Sequence, residues 1–310
     1  MDGRNSTALT YFILVGLSEH PRAQVIFFCL VLVSYLVILL GNSLILFLIH
    51  YDSRLHTPMY FFLSNLSFLD ICYTSSVAPQ MIINCLTKIP TISLNECLAQ
   101  MCISLYLGVV ECLLLAIMSY DRCVAIGDPL RYSVRMGPQL CALLAVCTWV
   151  SAFLLTVVPT LVLPLEFCDH HIINHFFCEV LAMIKVACND LWLNKLLMVV
   201  TSSLTLLAPF AFILVSYGCI LGAVLRIRST EGRRKAFSTC SSHLTVVVIF
   251  YGTAIAMYMI PQDKASGEVD KFASLLYGIM TPMLNPLIYS LRNKDVKGAL
   301  QKLWGEKNVP

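Results

Sequence analysis

Five stretches of this chain contain no Asp, Glu, Lys or Arg: residues 23–51 (29 residues), 136–165 (30), 196–225 (30), 236–262 (27) and 272–291 (20). About 20 apolar residues at ~1.5 Å rise cross a ~30 Å hydrocarbon layer, so each run is long enough to span a bilayer as a helix. Two more runs are each broken by one acid, residues 55–87 by Asp70 and residues 97–120 by Glu111. Composition agrees: 58% of the 310 residues are hydrophobic and 13% charged, about half the ~25% charge that lets a soluble core keep a wetted skin. The expectation is an all-α membrane protein, one seven-transmembrane helix bundle over 1–310. Its spans fall near 24–50, 58–86, 97–125, 139–163, 196–226, 235–261 and 271–291. No repeat of 20–50 residues and no obvious inverted halves are present.

Basic residues set the orientation. With the N-terminus outside, the outer segments carry seven Lys and Arg (Arg4, Arg22, Lys88, Lys185, Lys195, Lys264, Lys271) and the inner segments the other fourteen of 21. The expected placement is multi-pass in the plasma membrane, N-terminus extracellular and C-terminus cytoplasmic. No cleavable signal peptide is read in the first 20 residues, where no continuous apolar stretch precedes Pro21. Asn5-Ser6-Thr7 is a glycosylation sequon on the outer side, whereas Asn65-Leu66-Ser67 lies inside a span and is discounted.

Most of the fourteen cysteines fall within spans, where a free thiol packs as a small hydrophobe. Cys97, Cys168, Cys178 and Cys188 lie outside. Four cysteines in an oxidising compartment allow three pairings; the physically attractive one joins Cys97 to Cys178 and closes the loop with Cys168–Cys188. His170, His171 and His175 share that loop, but with the cysteines oxidised they form no full ligand set for a metal.

Six motifs then appear in order: GNSLI with Asn42, LHTPMYFFLSNLSFLD ending on Asp70, MSYDRCVAI with PLRY, SYGCIL, KAFSTCSSHL and PMLNPLIYSLRN. Together they make the chain similar to the rhodopsin-like (class A) G-protein-coupled receptors, and within them to the olfactory receptors, over nearly its whole length. Trp149 and Pro209 fall at landmark positions of that family. The chain departs from it at Cys123 (usually Tyr), Ser119 (usually Ala) and Gly127-Asp128 (usually Cys-His); Asp128 bears on coupling to a partner.

The resemblance implies an odorant receptor that binds small, hydrophobic, volatile molecules and activates an olfactory-type stimulatory heterotrimeric G protein, raising cyclic AMP. It implies a switch at Asp121-Arg122, with Tyr217, Lys235 and Tyr289 at the same inner level. A planar fork of donors held by Asp121 suits exchange onto the carbonyls of a docking helix better than Lys would. Asp70 and Glu111 near mid-bilayer need a partner or a wet cavity, and the resemblance implies a sodium ion or a shared proton there, with Asn42 and Asn285 nearby. No other cofactor is expected. Pro286 permits a kink beside Asn285 and Tyr289. Residues 292–303, with Val296, Ala299, Leu300 and Leu303 on one stripe, read as a short amphipathic helix on membrane lipid; no Cys follows Cys240, so no palmitoyl anchor is expected on this tail.

The ligand site is expected between spans three, five, six and seven. Helical spacing places Met101, Ser104, Leu105, Gly108, Val109 and Cys112 on one stripe of span three. Ser202 and Thr205 come from span five, Tyr251, Ile255 and Tyr258 from span six, and Leu275 from span seven; each stripe alone also fits plain helix packing. Ser104 stands where amine receptors place an Asp, so a cationic ligand lacks a counter-ion. Tyr251 stands where most rhodopsin-like receptors have Trp and is the candidate trigger. The alternative is a rhodopsin-like receptor for a non-odorant ligand such as a lipid or metabolite. A transporter would need more charged or discontinuous helices, and an enzyme a nucleophile–base pair or metal motif; neither these nor a nucleic-acid partner is indicated.

Overall fold

The structure, a computed structural model, describes residues 10–15, 20–168, 171–227, 229–259, 267–291 and 294–305. Its body is a bundle of seven helices: α1 (Pro21–Tyr51), α2 (Pro58–Leu86), α3 (Leu94–Gly127), α4 (Pro138–Val162), α5 (Trp192–Arg226), α6 (Thr230–Tyr258) and α7 (267–291), followed by α8 (Lys294–Gly305). Five of them, α1, α3, α4, α5 and the Cys240–Tyr258 part of α6, are long and apolar enough to cross a membrane. The other two, α2 and α7, bury Asp70 and Thr74 and Ser274 and Asn285, respectively. Several helices run beyond the expected spans, α5 from Trp192 and α6 from Thr230, because helical hydrogen bonding continues past the point where lipid ends.

Local chemistry explains the starts. Pro21, Pro58 and Pro138 open α1, α2 and α4 at first-turn positions where a missing N–H costs nothing. A reciprocal capping box opens α3: Ser93 Oγ accepts from Glu96 N–H and the Glu96 carboxylate accepts from Ser93 N–H, worth ~1 kcal/mol. Within α5 and α7 the winding widens at Ser203–Leu207 and Leu276–Met280, where Ala208 N–H reaches back to Ser203 O and Thr281 N–H to Leu276 O. Each wide turn directly precedes a proline, Pro209 or Pro282, whose ring lacks the donor that regular winding needs.

Helix α3 is the axle of the bundle. In its most apolar window 61% of residues are buried, against 11% in α1, whose Val25, Ile26, Leu30 and Leu40 face outward where lipid lies. One bundle end carries a small sheet in the order β2-β1-β3. Strand β1 (Tyr11–Leu14) runs antiparallel to β2 (Thr91–Ser93), with Phe12 opposite Ile92, and parallel to β3 (Ile172–Ile173). These strands and the short helix Val180–Val186 were not legible beforehand. Two disulfides, Cys97–Cys178 and Cys168–Cys188, staple this end, with Cα–Cα distances of 5.3 and 6.1 Å. At the opposite end α8 lays its apolar stripe on the bundle as well as along the surface: Val296 and Ala299 are buried, and Asp295 accepts from Tyr60 Oη at 3.5 Å.

Candidate functional site

Beneath the stapled loop lies a cavity of about 90 Å³. Met101, Leu105 and Val109 of α3 form one wall, Leu155, Thr156 and Pro159 of α4 another, and Met198, Thr201, Ser202 and Thr205 of α5 a third. The helix Val180–Val186 roofs it through Val180 and Ile184, and Tyr258 is the contribution of α6. Six of the expected ligand residues therefore meet here: Met101, Leu105, Val109, Ser202, Thr205 and Tyr258. The others stand elsewhere, because α4 rather than α7 closes the space. Ser104 is buried with an unpartnered hydroxyl, and a Cβ on Gly108 would meet open space. Tyr251, fully buried, donates to Cys112 O at 2.7 Å and packs against Phe210. Ile255 and Leu275 pack on the main core.

Most wall hydroxyls already spend their protons on their own helices. Thr201 Oγ1 donates to Leu197 O, Thr205 Oγ1 to Thr201 O and Thr156 Oγ1 to Ala152 O, at 2.7–2.8 Å. Their remaining capacity is to accept, so a ligand that donates one hydrogen bond into an otherwise apolar wall matches them.

The roof is tied down by side chains that sequence reading did not single out. Glu179 caps the 180–186 helix, accepting from Leu181 N–H at 2.7 Å and Ala182 N–H at 3.3 Å, while its other oxygen accepts from Tyr258 Oη at 2.8 Å. Gln100 accepts from Cys178 N–H at 2.8 Å and donates to Ser76 O at 2.7 Å, linking loop, α3 and α2. His175 bonds Phe177 O and Ser274 Oγ at 3.0 and 3.2 Å, and Lys185 pairs with Asp270 at 3.0 Å. The signal for Glu179 was an acid directly before the apolar run VLAM. His175 is thus used in docking the loop, and among the described residues no cluster of three metal-ligating side chains forms.

Burial pushes the Glu179 carboxyl up from 4.5 to about 7, Asp270 adding to the rise and the Tyr258 and backbone bonds opposing it; burial pushes His175 down from 6.5 to about 4. The signs differ. The folded loop binds more protons than the unfolded one at Glu179 between about 4.5 and 7, and fewer at His175 between about 4 and 6.5. Melting of the purified receptor is therefore expected to shift upward as pH falls from 8 to about 6.5. It should level off while the two opposing groups both titrate, and drop below about 4.5. Glu179→Gln should erase the rise between pH 8 and 6.5; a rise that survives the substitution assigns it to another group.

Deeper in the bundle, Asn285 Nδ2 donates to Asp70 Oδ2 at 2.9 Å, and Asn42 Nδ2 donates to Ile38 O at 3.1 Å and Pro282 O at 3.3 Å. Among the described residues Asn42 Oδ1, Asp70 Oδ1, Glu111 Oε1 and Asn285 Oδ1 are all buried without a donor. Four oxygens short of positive partners are a donor set that fits a hard monovalent cation or an added proton.

At the end opposite the sheet, Asp121 is fully buried and Arg122 nearly so. Arg122 Nε donates to Asp121 Oδ2 at 3.0 Å, with Nη2 closing the fork, and Tyr132 Oη donates to Asp121 Oδ1 at 2.6 Å. Tyr217 of α5 stacks on His243 of α6, rings 5.9 Å apart and 7° from parallel, with its hydroxyl 2.8 Å from His243 Nδ1 and donating to Cys240 O at 3.2 Å. Tyr132 and His243 are additions to the expected set, both inside motifs already quoted. The side chains of Lys235 and Tyr289, and Asn5 as a whole, lie outside the described residues. Asn65 is engaged inside the bundle, accepting from Trp149 Nε1 at 3.1 Å.

The family profile described as "Olfactory receptor" matches residues 28–307. Olfactory receptor 13H1 of Homo sapiens is 54% identical over 299 residues, covering 96% of this chain and 97% of that protein. Olfactory receptor 2G3 of Homo sapiens is 51% identical over 304 residues, 98% of each chain, and olfactory receptor 2A7 of Mus musculus is 50% identical over 302 residues, 97% of each.

Proposed function

Because the chain belongs to the olfactory receptor family, we infer that it is a multi-pass membrane receptor for odorants that works through a G protein and is not an enzyme. We propose that its ligand is a small, mostly hydrophobic molecule with one hydrogen-bond donor, seated beneath the loop helix Val180–Val186. The observation that carries this reading is the cavity wall itself: apolar side chains from α3, α4 and α5 with threonine oxygens left as acceptors and Ser202 and Tyr258 at its edge. The partner is a stimulatory heterotrimeric G protein, with cyclic AMP as the readout. The chain runs N-terminus outside and C-terminus inside, placing Arg122 at the cytoplasmic rim, and α8 rests on lipid there. The motifs MSYDRCVAI and KAFSTCSSHL, and the excess of Lys and Arg on that side, support this arrangement.

Asp70, Glu111, Asn42 and Asn285 would hold a sodium ion, which supplies the positive charge that their four unpartnered oxygens lack. In the purified receptor, sodium in place of choline at constant ionic strength should raise the melting temperature, and Asp70→Asn should remove the effect; equal melting in both salts rejects the ion.

A panel of volatile alcohols, ketones, acids and hydrocarbons, with lipids and non-volatile metabolites beside them, tested on cells reporting cyclic AMP checks the ligand class. Alcohols should lead, and Ser202→Ala should weaken the best one by roughly fivefold, the worth of one hydrogen bond of about 1 kcal/mol. Responses confined to lipids or non-volatile metabolites would favour the non-odorant alternative.

A further inference from the structure

A second space in the molecule has no part in the odorant cavity. It lies at the disulfide end between the ends of α1 and α2, under β1, and at about 270 Å³ it is three times the size of the central one. We propose that this is a second ligand site, specific for a small aliphatic carboxylate.

The site is built rather than incidental. Leu14 and Met81 in its wall are 1% exposed, and Phe176 closes it from the loop, its ring stacked on Phe27 at 4.9 Å. Asn84 fixes that closure by donating to Phe176 O at 3.1 Å and is itself held by Gln80 Nε2 at 2.8 Å. Strand β1 is paired on both edges, so the cover over Leu14 is anchored from two sides. The volume approaches the lower end of the ~300–1,000 Å³ of small-molecule sites, which suits a short chain rather than a lipid with two tails.

Charge then selects the head group. Lys88 is exposed in the lining, and a lysine can lay its four-carbon stem along apolar surface while its ammonium stays wet. Among the described residues no carboxylate pairs with Lys88, and Glu96 on the neighbouring helix start is committed to Ser93. An apolar pocket with one cation at its rim complements an apolar chain ending in an anion. It disfavours an amine and gives an alcohol no charge to meet.

The test uses the full chain in nanodiscs of zwitterionic lipid with octanoate carrying a diazirine, the adducts being mapped by mass spectrometry. Saturable labelling around Phe27, Met81 and Phe176, displaced by octanoate about fivefold more readily than by octanol, is expected; fivefold corresponds to about 1 kcal/mol, the upper end for an exposed charged contact. Lys88 is exposed, so its variants should fold: Lys88→Gln should abolish the preference for octanoate over octanol, and Lys88→Glu should turn it toward octylamine. Three outcomes overturn the proposal: unsaturable labelling spread over the lipid-facing side of α1, equal displacement by octanol and octanoate in the unaltered chain, or displacement by a few mole per cent of phosphatidylserine, which would make the site a lipid contact. Because the label is read directly, a failure here leaves the odorant response of the central cavity untouched.

Discussion

Arg122→Ala should silence the response to any odorant that activates the unaltered receptor, while the protein still reaches the cell surface and binds that odorant. Arg122 spends its donors on Asp121, which also receives the Tyr132 hydroxyl, so the buried carboxylate is satisfied from two sides. The guanidinium is thus held in place by its neighbouring carboxylate. On the proposed switch, releasing it would offer a planar array of donors to the partner, a role alanine cannot fill and lysine fills poorly. Removing one member of a buried pair also costs about 3–5 kcal/mol in extreme cases, because the other charge is left behind. Here Tyr132 softens that cost, so surface delivery should fall by no more than about half. Asp121→Asn is the informative companion: freeing the arginine without deleting it should raise ligand-independent G-protein activation severalfold, for a shift of about 1 kcal/mol in the equilibrium. An Arg122→Ala receptor that signals at full strength, or an Asp121→Asn receptor that is no more active than the unaltered chain, would remove the switch from this pair.

Cys97→Ser or Cys178→Ser should block folding and nearly abolish surface delivery. The Cys97–Cys178 bond closes a separation of 81 residues, for which chain-entropy arguments give about 4 kcal/mol. The loss spreads beyond that bond. Cys178 N–H is held by Gln100, the next residue is the Glu179 cap bonded to Tyr258, and both sit above the same cavity. Freed at Cys178, the loop strains all these contacts together. Cys168→Ser should be milder, since it closes only 20 residues at the exposed edge of the loop. Surface labelling of tagged variants separates the two bonds, and normal delivery of the Cys178→Ser protein would mean that the hydrogen bonds alone hold the roof.

The bundle was legible because lipid tolerates no unpaired charge, so a gap in Asp, Glu, Lys and Arg marks a helix with little ambiguity. Asp70, Glu111, Asp121 and Arg122 were legible for the converse reason: each is an exception to that rule. The sheet was not, since Tyr11–Leu14, Thr91–Ser93 and Ile172–Ile173 are two to four residues long and too short to show a period. The cavity was half legible. A stripe on α3 gives a direction from the axis but not the neighbour met there, and Thr156 and Pro159 of α4 occupy the place expected for α7. Glu179, Gln100 and His175 draw their roles from a loop whose path only three dimensions reveal.

Helix α3 begins with a reciprocal cap, a covalent bond to the loop at Cys97 and the Gln100 cross-ties, all within its first two turns. Near its other end, which lies at Gly127, it carries the Asp121-Arg122 pair. A rod clamped so firmly at one end behaves like a mast stepped in its hull. On the proposed switch, such a footing would leave movement to the far end and to the neighbours packed on it.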